Sequence, residues 1–189
     1  MRRLLFKNLV HGPLTEAAPD KDDAAVAELA AQVDREARRR LGRTLSIREV
    51  DAGSCNGCEL EIHALQNVLY DLERFGMRFV ASPRHADVLL VTGPVTANMR
   101  QALERTYQAT PHPKWVVAVG DCARDGGVFS GSYACVGGVS AVVPVDLHIG
   151  TCPPSPQALL KGLLALLERA EQGSSTAMEE EARVAPAPS

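Results

Sequence analysis

The sequence predicts an α/β domain built on a mainly parallel sheet. From Leu45 onward, short apolar and β-branched runs alternate with segments of helical periodicity, the pattern of strands joined by crossover helices. Several of those runs are apolar without interruption, as strands covered on both faces must be. Loops containing Gly or Pro follow them, which marks the strand ends.

Asp20–Leu41 comes first. It is Ala-rich, with acids at its start and arginines at its end, an order that suits the helix dipole. Val26, Leu29, Val33, Ala37 and Leu41 form one apolar stripe, and Gly42 stops the helix, which reads as a docking element at the domain edge. "LSIREV" predicts a strand. "ELEIHALQNVLYDLERF" carries Ile62, Leu65, Val68, Leu69, Leu72 and Phe75 at helical spacing. "RFVA" and "DVLLVTG" predict strands separated by a turn at Ser82–Pro83. "TANMRQALERTYQAT" predicts a helix ended by Pro111 and Pro113, and "KWVVAVG" a buried strand. "SAVVPVDLHIG" predicts a further strand, and "SPQALLKGLLALLERA" a closing helix with Pro in its first turn. From Glu171 the chain turns small, polar and acidic and reads as a disordered tail. The expected organisation is an N-terminal segment and docking helix over 1–44, one domain over 45–170 and a tail over 171–189.

A chain of 189 residues, 46% of them hydrophobic, can bury a sizeable single core. A net charge of −3 with 4% aromatics argues against a nucleic-acid surface. No apolar run approaches the roughly 18–20 residues of a bilayer span. "MRRLLFKNLVHGPLTEAAP" lacks the continuous apolar centre and cleavage site of a secretory signal, so the protein reads as cytoplasmic. In that compartment the five cysteines are to be read as ligands, catalysts or core residues before disulfides.

Cys55 and Cys58 form a Cys-x-x-Cys pair after "LSIREV". Cys122 follows "KWVVAVG", and Cys152 follows "VDLHI". Three strand ends thus deliver thiols into loops, and the crevice beyond the carboxyl ends of a parallel sheet is where ligands bind. Four thiols there match the ligand count of a 4Fe–4S cluster, and thiolates are soft donors suited to iron. Gly53, Gly57, Gly120, Gly126, Gly127 and Gly150 would let backbone amides approach the sulfurs. A thioredoxin-like redox pair would leave Cys122 and Cys152 idle, and structural zinc normally uses two close pairs. Cys135 has no partner by spacing and reads as a small buried apolar residue.

"SCNGCELEI", "GDCARDGGVFSGSYACVGG" and "PVDLHIGTCPPSPQALL" together resemble the signatures of one superfamily. It comprises the small subunit of nickel–iron hydrogenases and the related iron–sulfur subunit of respiratory NADH–quinone oxidoreductase. The likeness covers roughly 45–167. It implies a flavodoxin-like domain with one 4Fe–4S cluster held by Cys55, Cys58, Cys122 and Cys152 against a large partner subunit that carries the nickel–iron centre. In the quinone-reductase subunit the first two ligand cysteines are typically adjacent. Here Asn56 and Gly57 separate them, as in hydrogenases. Neither a twin-arginine signal nor a further cysteine-rich region is expected in this chain. The resemblance therefore points to the single-cluster small subunit of membrane-associated, cytoplasm-facing hydrogenases of the formate hydrogenlyase and energy-converting type.

What this implies is a subunit that is not catalytic alone. It relays electrons between the large subunit and ferredoxin-like iron–sulfur subunits, and lies peripherally on the cytoplasmic side of the membrane through integral membrane subunits. Two other readings stay open: the equivalent subunit of a quinone-reducing complex, and a non-catalytic zinc-binding assembly module. Glu59 is either a carboxylate beside the sulfurs, on a proton path, or an acid favoured by the first helical turn. Glu61 is expected at solvent or the subunit contact, and Arg124 and Asp125 at an interface ion pair or as charge compensation. His148, near Cys152 in sequence, reads as a satisfied structural histidine, while His63, His85 and His112 have no motif support. Pro153 and Pro154 are expected to fix the Cys152 loop and open the last helix.

Overall fold

The computed structural model describes residues 23–53 and 55–169. The N-terminal segment before Asp23 and the expected tail over 171–189 lie outside the described residues. The elements are α1 (Asp23–Leu41), β1 (Ser46–Asp51), α2 (Gly57–Ala64), β2 (Arg78–Phe79), β3 (Val88–Thr92), β4 (Val95–Thr96), α3 (Ala97–Ala109), β5 (Trp115–Val119), α4 (Asp121–Asp125), β6 (Cys135–Gly137), β7 (Leu147–Ile149) and α5 over 156–169.

The main sheet has the order β2-β1-β3-β5-β7, and every pairing in it is parallel. That is the flavodoxin-like order, as expected. β3 is central, and all five of its residues are buried, which explains its unbroken apolar run. Side chains alternate between the faces. Ile47, Val88, Leu90, Val117 and Val119 pack with Val26, Val33, Ala37, Ile62, Leu65, Leu159, Leu160 and Leu163, so α1, α2 and α5 share one face. Leu89, Val91, Val116 and Ala118 pack with Leu103 of α3 and with Val139 on the other. Gly42, at φ 65, ends α1 and donates its N–H to Arg38 O at 3.0 Å. Among the described residues no helix is long and apolar enough to cross a membrane.

Three sequence expectations need correction. The helix expected across "ELEIHALQNVLYDLERF" ends at Ala64. The Asn67 side-chain oxygen accepts the N–H groups of Leu69 and Tyr70, and Asp71 takes φ 41, so the backbone turns. Val68 is consequently 99% exposed, and Leu72 reaches the core from a separate 3₁₀ turn, Leu72–Phe75. The strand expected over "SAVVPVDLHIG" shrinks to Leu147–Ile149, because Pro144 has no N–H for a ladder and Val139–Ala141 forms a 3₁₀ turn. The last helix opens at Pro156, not at Pro153–Pro154. There Ser155 caps it, its Oγ accepting the Ala158 N–H at 3.3 Å. Nothing in the residue pattern marks the antiparallel β4–β6 ribbon.

The amino end of the sheet is tightly closed. Asp87, 1% exposed, accepts the Ser46 N–H at 2.9 Å and pairs with the Arg43 guanidinium. Asp146 accepts the Val116 N–H at 2.7 Å. Lys114 donates to the Thr110 carbonyl at 3.1 Å and lies 3.8 Å from the Tyr107 ring centroid.

Candidate metal centre

The thiols meet at the opposite end. Cys55, Cys58, Cys122 and Cys152 line one cavity of about 40 Å³, together with Gly57, Gly93 and Pro153. β1, β5 and β7 each lead into a thiol-bearing loop, while central β3 leads only into Gly93. Parallel strands bring their carboxyl ends to one edge, so residues almost a hundred positions apart become neighbours. Cys58 and Cys122, each 7% exposed, form the floor, and Cys55 and Cys152 are exposed at the mouth.

The backbone is shaped to the sulfurs. Gly120 adopts φ 86 and ψ 163, a region only glycine takes readily, and a Cβ there would lie 2.6 Å from Cys58 Sγ. A Cβ on Gly127 would lie 2.8 Å from Cys122 Sγ. At Gly57 the same atom would meet Cys55 Sγ at 3.5 Å, ordinary contact. Asn56 starts α2 from a left-handed φ of 71, which turns the chain between the two cysteines of the pair.

Burial, ahead of repulsion from Glu59 and the other thiols, pushes the Cys58 thiol up to about 12. Burial, then Cys152, raises Cys122 as well, against the Val128 N–H that hydrogen-bonds to its sulfur. The protein alone favours neutral thiols here. The positive charge of a bound metal would favour the thiolate form of Cys58 and Cys122. Among the described residues no three His, Cys, Asp or Glu side chains are disposed around one ion. A single zinc would draw its sulfurs to about 2.3 Å from a point. Four soft donors around a hollow with glycine walls are suited to a multi-iron group.

Glu59 lies in the first turn of α2, yet is 6% exposed, and neither carboxylate oxygen has a hydrogen-bond partner. It is therefore a buried group beside Cys58, not a solvated acid. Glu61 is half-buried. Arg124 pairs within the chain, to Asp121 at 3.2 Å and Asp125 at 3.0 Å. The Gly127 N–H, then Arg124, holds the Asp125 carboxyl below its ordinary value. His148 is not the satisfied histidine expected: its buried Nε2 has no partner, and burial followed by Arg124 lowers its affinity for a proton. Cys135 sits half-buried on β6, away from the cavity, and is not the core residue expected. Sequence reading misses Gly93 and the Val128 amide. Gly93 is findable, since it ends a buried strand just as the thiol loops do.

A second cavity, of about 250 Å³, contains no thiol. Arg48, Glu49, His63 and Gln66 line it with Ile62, Phe79, Val80 and Ala81. Burial, ahead of Glu59 and Asp51, raises the Glu49 carboxyl, against His63 and Arg48.

Residues 55–166 match the family described as NADH ubiquinone oxidoreductase, 20 Kd subunit. Formate hydrogenlyase subunit 7 of Escherichia coli (strain K12) is 44% identical over 150 residues, covering 79% of this chain and 57% of the relative. An NADH-quinone oxidoreductase subunit of Herpetosiphon aurantiacus is 47% identical over 120 residues, 63% of this chain and 66% of the relative. This chain therefore spans less than two thirds of either relative's length. Among solved structures, a chain of the membrane-bound sulfane sulfur reductase, an archaeal respiratory membrane complex, is similar with a TM-score of 0.62 and 35% identity. That match covers 75% of this chain and 77% of the other.

Proposed function

The chain belongs to the NADH ubiquinone oxidoreductase, 20 Kd subunit family, and from that premise we propose that it is the electron-relay subunit of a membrane-associated hydrogenase-type complex. The observation that supports this reading is the cavity that Cys55, Cys58, Cys122 and Cys152 line together. In this reading those four cysteines hold one 4Fe–4S cluster within a domain spanning 45–170, against which α1 docks. When bound, the cluster supplies one-electron redox chemistry.

The chain's own residues bind and tune. Gly120 and Gly127 keep side-chain atoms off the sulfurs, Gly57 lines the same cavity, and the Val128 N–H donates to Cys122 Sγ. Such hydrogen bonds and burial set a cluster's potential. Glu59 adds an unpartnered carboxylate beside Cys58. No residue of the chain is assigned bond-making chemistry. The partners in this reading are a large subunit with a nickel–iron centre, a ferredoxin-like subunit and integral membrane subunits, which would hold the chain peripherally on the cytoplasmic side. The E. coli relative bears the name of a formate hydrogenlyase subunit, and the Cys-x-x-Cys spacing favours that branch. The Herpetosiphon relative keeps a quinone-reducing complex as the second reading.

Anaerobic purification with iron, sulfide and EPR assays tests the proposal. About four irons per chain and a 4Fe–4S signal are expected; zinc in place of iron would overturn it. A Cys152→Ser variant should lose most of its iron while keeping its far-UV circular dichroism. Full occupancy at an unchanged potential would refute Cys152 as a ligand. The large-subunit sequence decides between the branches, since a nickel site needs two Cys-x-x-Cys pairs there.

A further inference from the structure

We infer that Asp121 is a positioning residue that clamps the Cys152 loop onto the Cys122 helix by holding Thr151 in a left-handed backbone. This rests on the proposed reading of the four cysteines as one site.

Thr151 has φ 81. A β-branched residue is an outlier there, because its Cβ crowds the following carbonyl. Left to itself the segment would relax into extended backbone and carry the adjacent Cys152 with it. Two ties oppose that. The Thr151 N–H donates to Asp121 Oδ1 at 3.3 Å, and the Thr151 hydroxyl donates to the Pro153 carbonyl at 3.3 Å. The first crosses between loops and the second is local, so only the first fixes Cys152 relative to Cys122.

Asp121 is placed for this role on every side. Its Oδ1 also receives Arg124 Nη1 at 3.2 Å, which anchors the carboxylate to α4. A Cβ on Gly150 would lie 3.8 Å from the same oxygen, so the Cys152 loop passes close against it. Gly120, next in the chain, is the residue whose Cβ would strike Cys58 Sγ and sit 3.5 Å from the Thr151 carbonyl oxygen. Cys122 follows directly. One carboxylate thus sits where the loops carrying Cys58, Cys122 and Cys152 touch. Asp125 and Arg124 occupy the same helix, but neither reaches Thr151: Asp125 accepts the Gly127 N–H at 2.9 Å, and Arg124 serves the two acids.

The test uses the full-length chain, loaded anaerobically and challenged with an iron chelator. Asp121→Ala should lose iron about tenfold faster than the parent. Asp121→Asn keeps an acceptor for the amide and should stay near the parental rate. Thr151→Gly needs no clamp, since glycine takes this φ freely, so the double variant Asp121→Ala/Thr151→Gly should recover most of the loss. A structural role unconnected with Thr151 would show no such rescue. Parental iron retention in Asp121→Ala, or a double variant no better than the single, would overturn the clamp. So would Asn behaving like Ala. Should Asp121→Ala not accumulate as folded protein, the double variant must; if it also fails, the clamp is refuted. Hydrogen exchange at the Thr151 amide, the N–H that Asp121 accepts, is an arm that needs no iron: it should quicken in Asp121→Ala and stay near the parental rate in Asp121→Asn. If the parent binds no iron but exchange behaves this way, the cluster reading falls and the clamp stands. If the parent binds iron and both measurements ignore Asp121, the clamp alone falls.

Discussion

At the amino ends of the strands, carboxylates finish what the ladder leaves open: Asp87 takes the Ser46 N–H at 2.9 Å and Asp146 the Val116 N–H at 2.7 Å. At the carboxyl ends the buried Glu59 has no partner on either oxygen, and Asn56, Gly53, Gly120, Gly126, Gly127 and Thr151 all take positive φ. Buried thiols there are held neutral by their surroundings. The two ends share strands and core, so the difference lies in the loops. Satisfied hydrogen bonds make one end a source of stability. Unpaired groups and unusual backbone make the other a place where local strain is kept for a site.

Substitutions at the two ends should therefore be read by different instruments. Gly120→Ala should have the largest effect. Its backbone region costs about 1–3 kcal/mol for a non-glycine residue, and the new Cβ would lie 2.6 Å from Cys58 Sγ. Iron retention should fall by at least about tenfold, on top of the loss in urea unfolding that the same strain causes; an unaltered iron content would erase the contrast between the ends. Asp87→Ala should lower stability alone. Leaving the Ser46 amide without its acceptor costs about 1–3 kcal/mol in urea unfolding, with the EPR spectrum of the folded fraction unchanged. Lys114→Met removes the bond to the Thr110 carbonyl and the contact with Tyr107. A loss of about 1 kcal/mol in the same assay is expected. Arg100→Ala breaks an exposed pair with Glu104. It should change stability by less than about 0.5 kcal/mol, and a larger loss would show that the surface of α3 matters more than the comparison allows.

Much of this is legible in the sequence, for reasons that differ by element. β3 and β5 stand out because a central parallel strand is apolar on both faces, and Leu89 and Leu90 indeed go to opposite sides. The thiols are legible because parallel strands all end at one edge, so four cysteines after three strands have to converge. Local backbone is harder. Val68 and Leu69 fit a helical stripe, yet the Asn67 side chain caps a turn ahead of them. Pro144 is visible inside a predicted strand, but the apolar run around it masks the break it makes. Nothing in the letters marks Thr151 as left-handed, since threonine is among the residues least expected there. The tie from Asp121 crosses between residues 30 apart, and such a contact becomes visible only once the strands are placed.

The pairing of β5 with β7 has a consequence in time. Val119 aligns with Ile149, and the loops beyond them bring Cys122 beside Cys152. β7 stands at the sheet edge and comes after every other strand of that sheet in chain order. At synthesis rates of about 5–20 residues per second, the residues between those cysteines take roughly 2–6 s to emerge. For that interval a growing chain presents three of the thiols with the fourth not yet made. Only when β7 and its loop leave the ribosome can the fourth sulfur join the others.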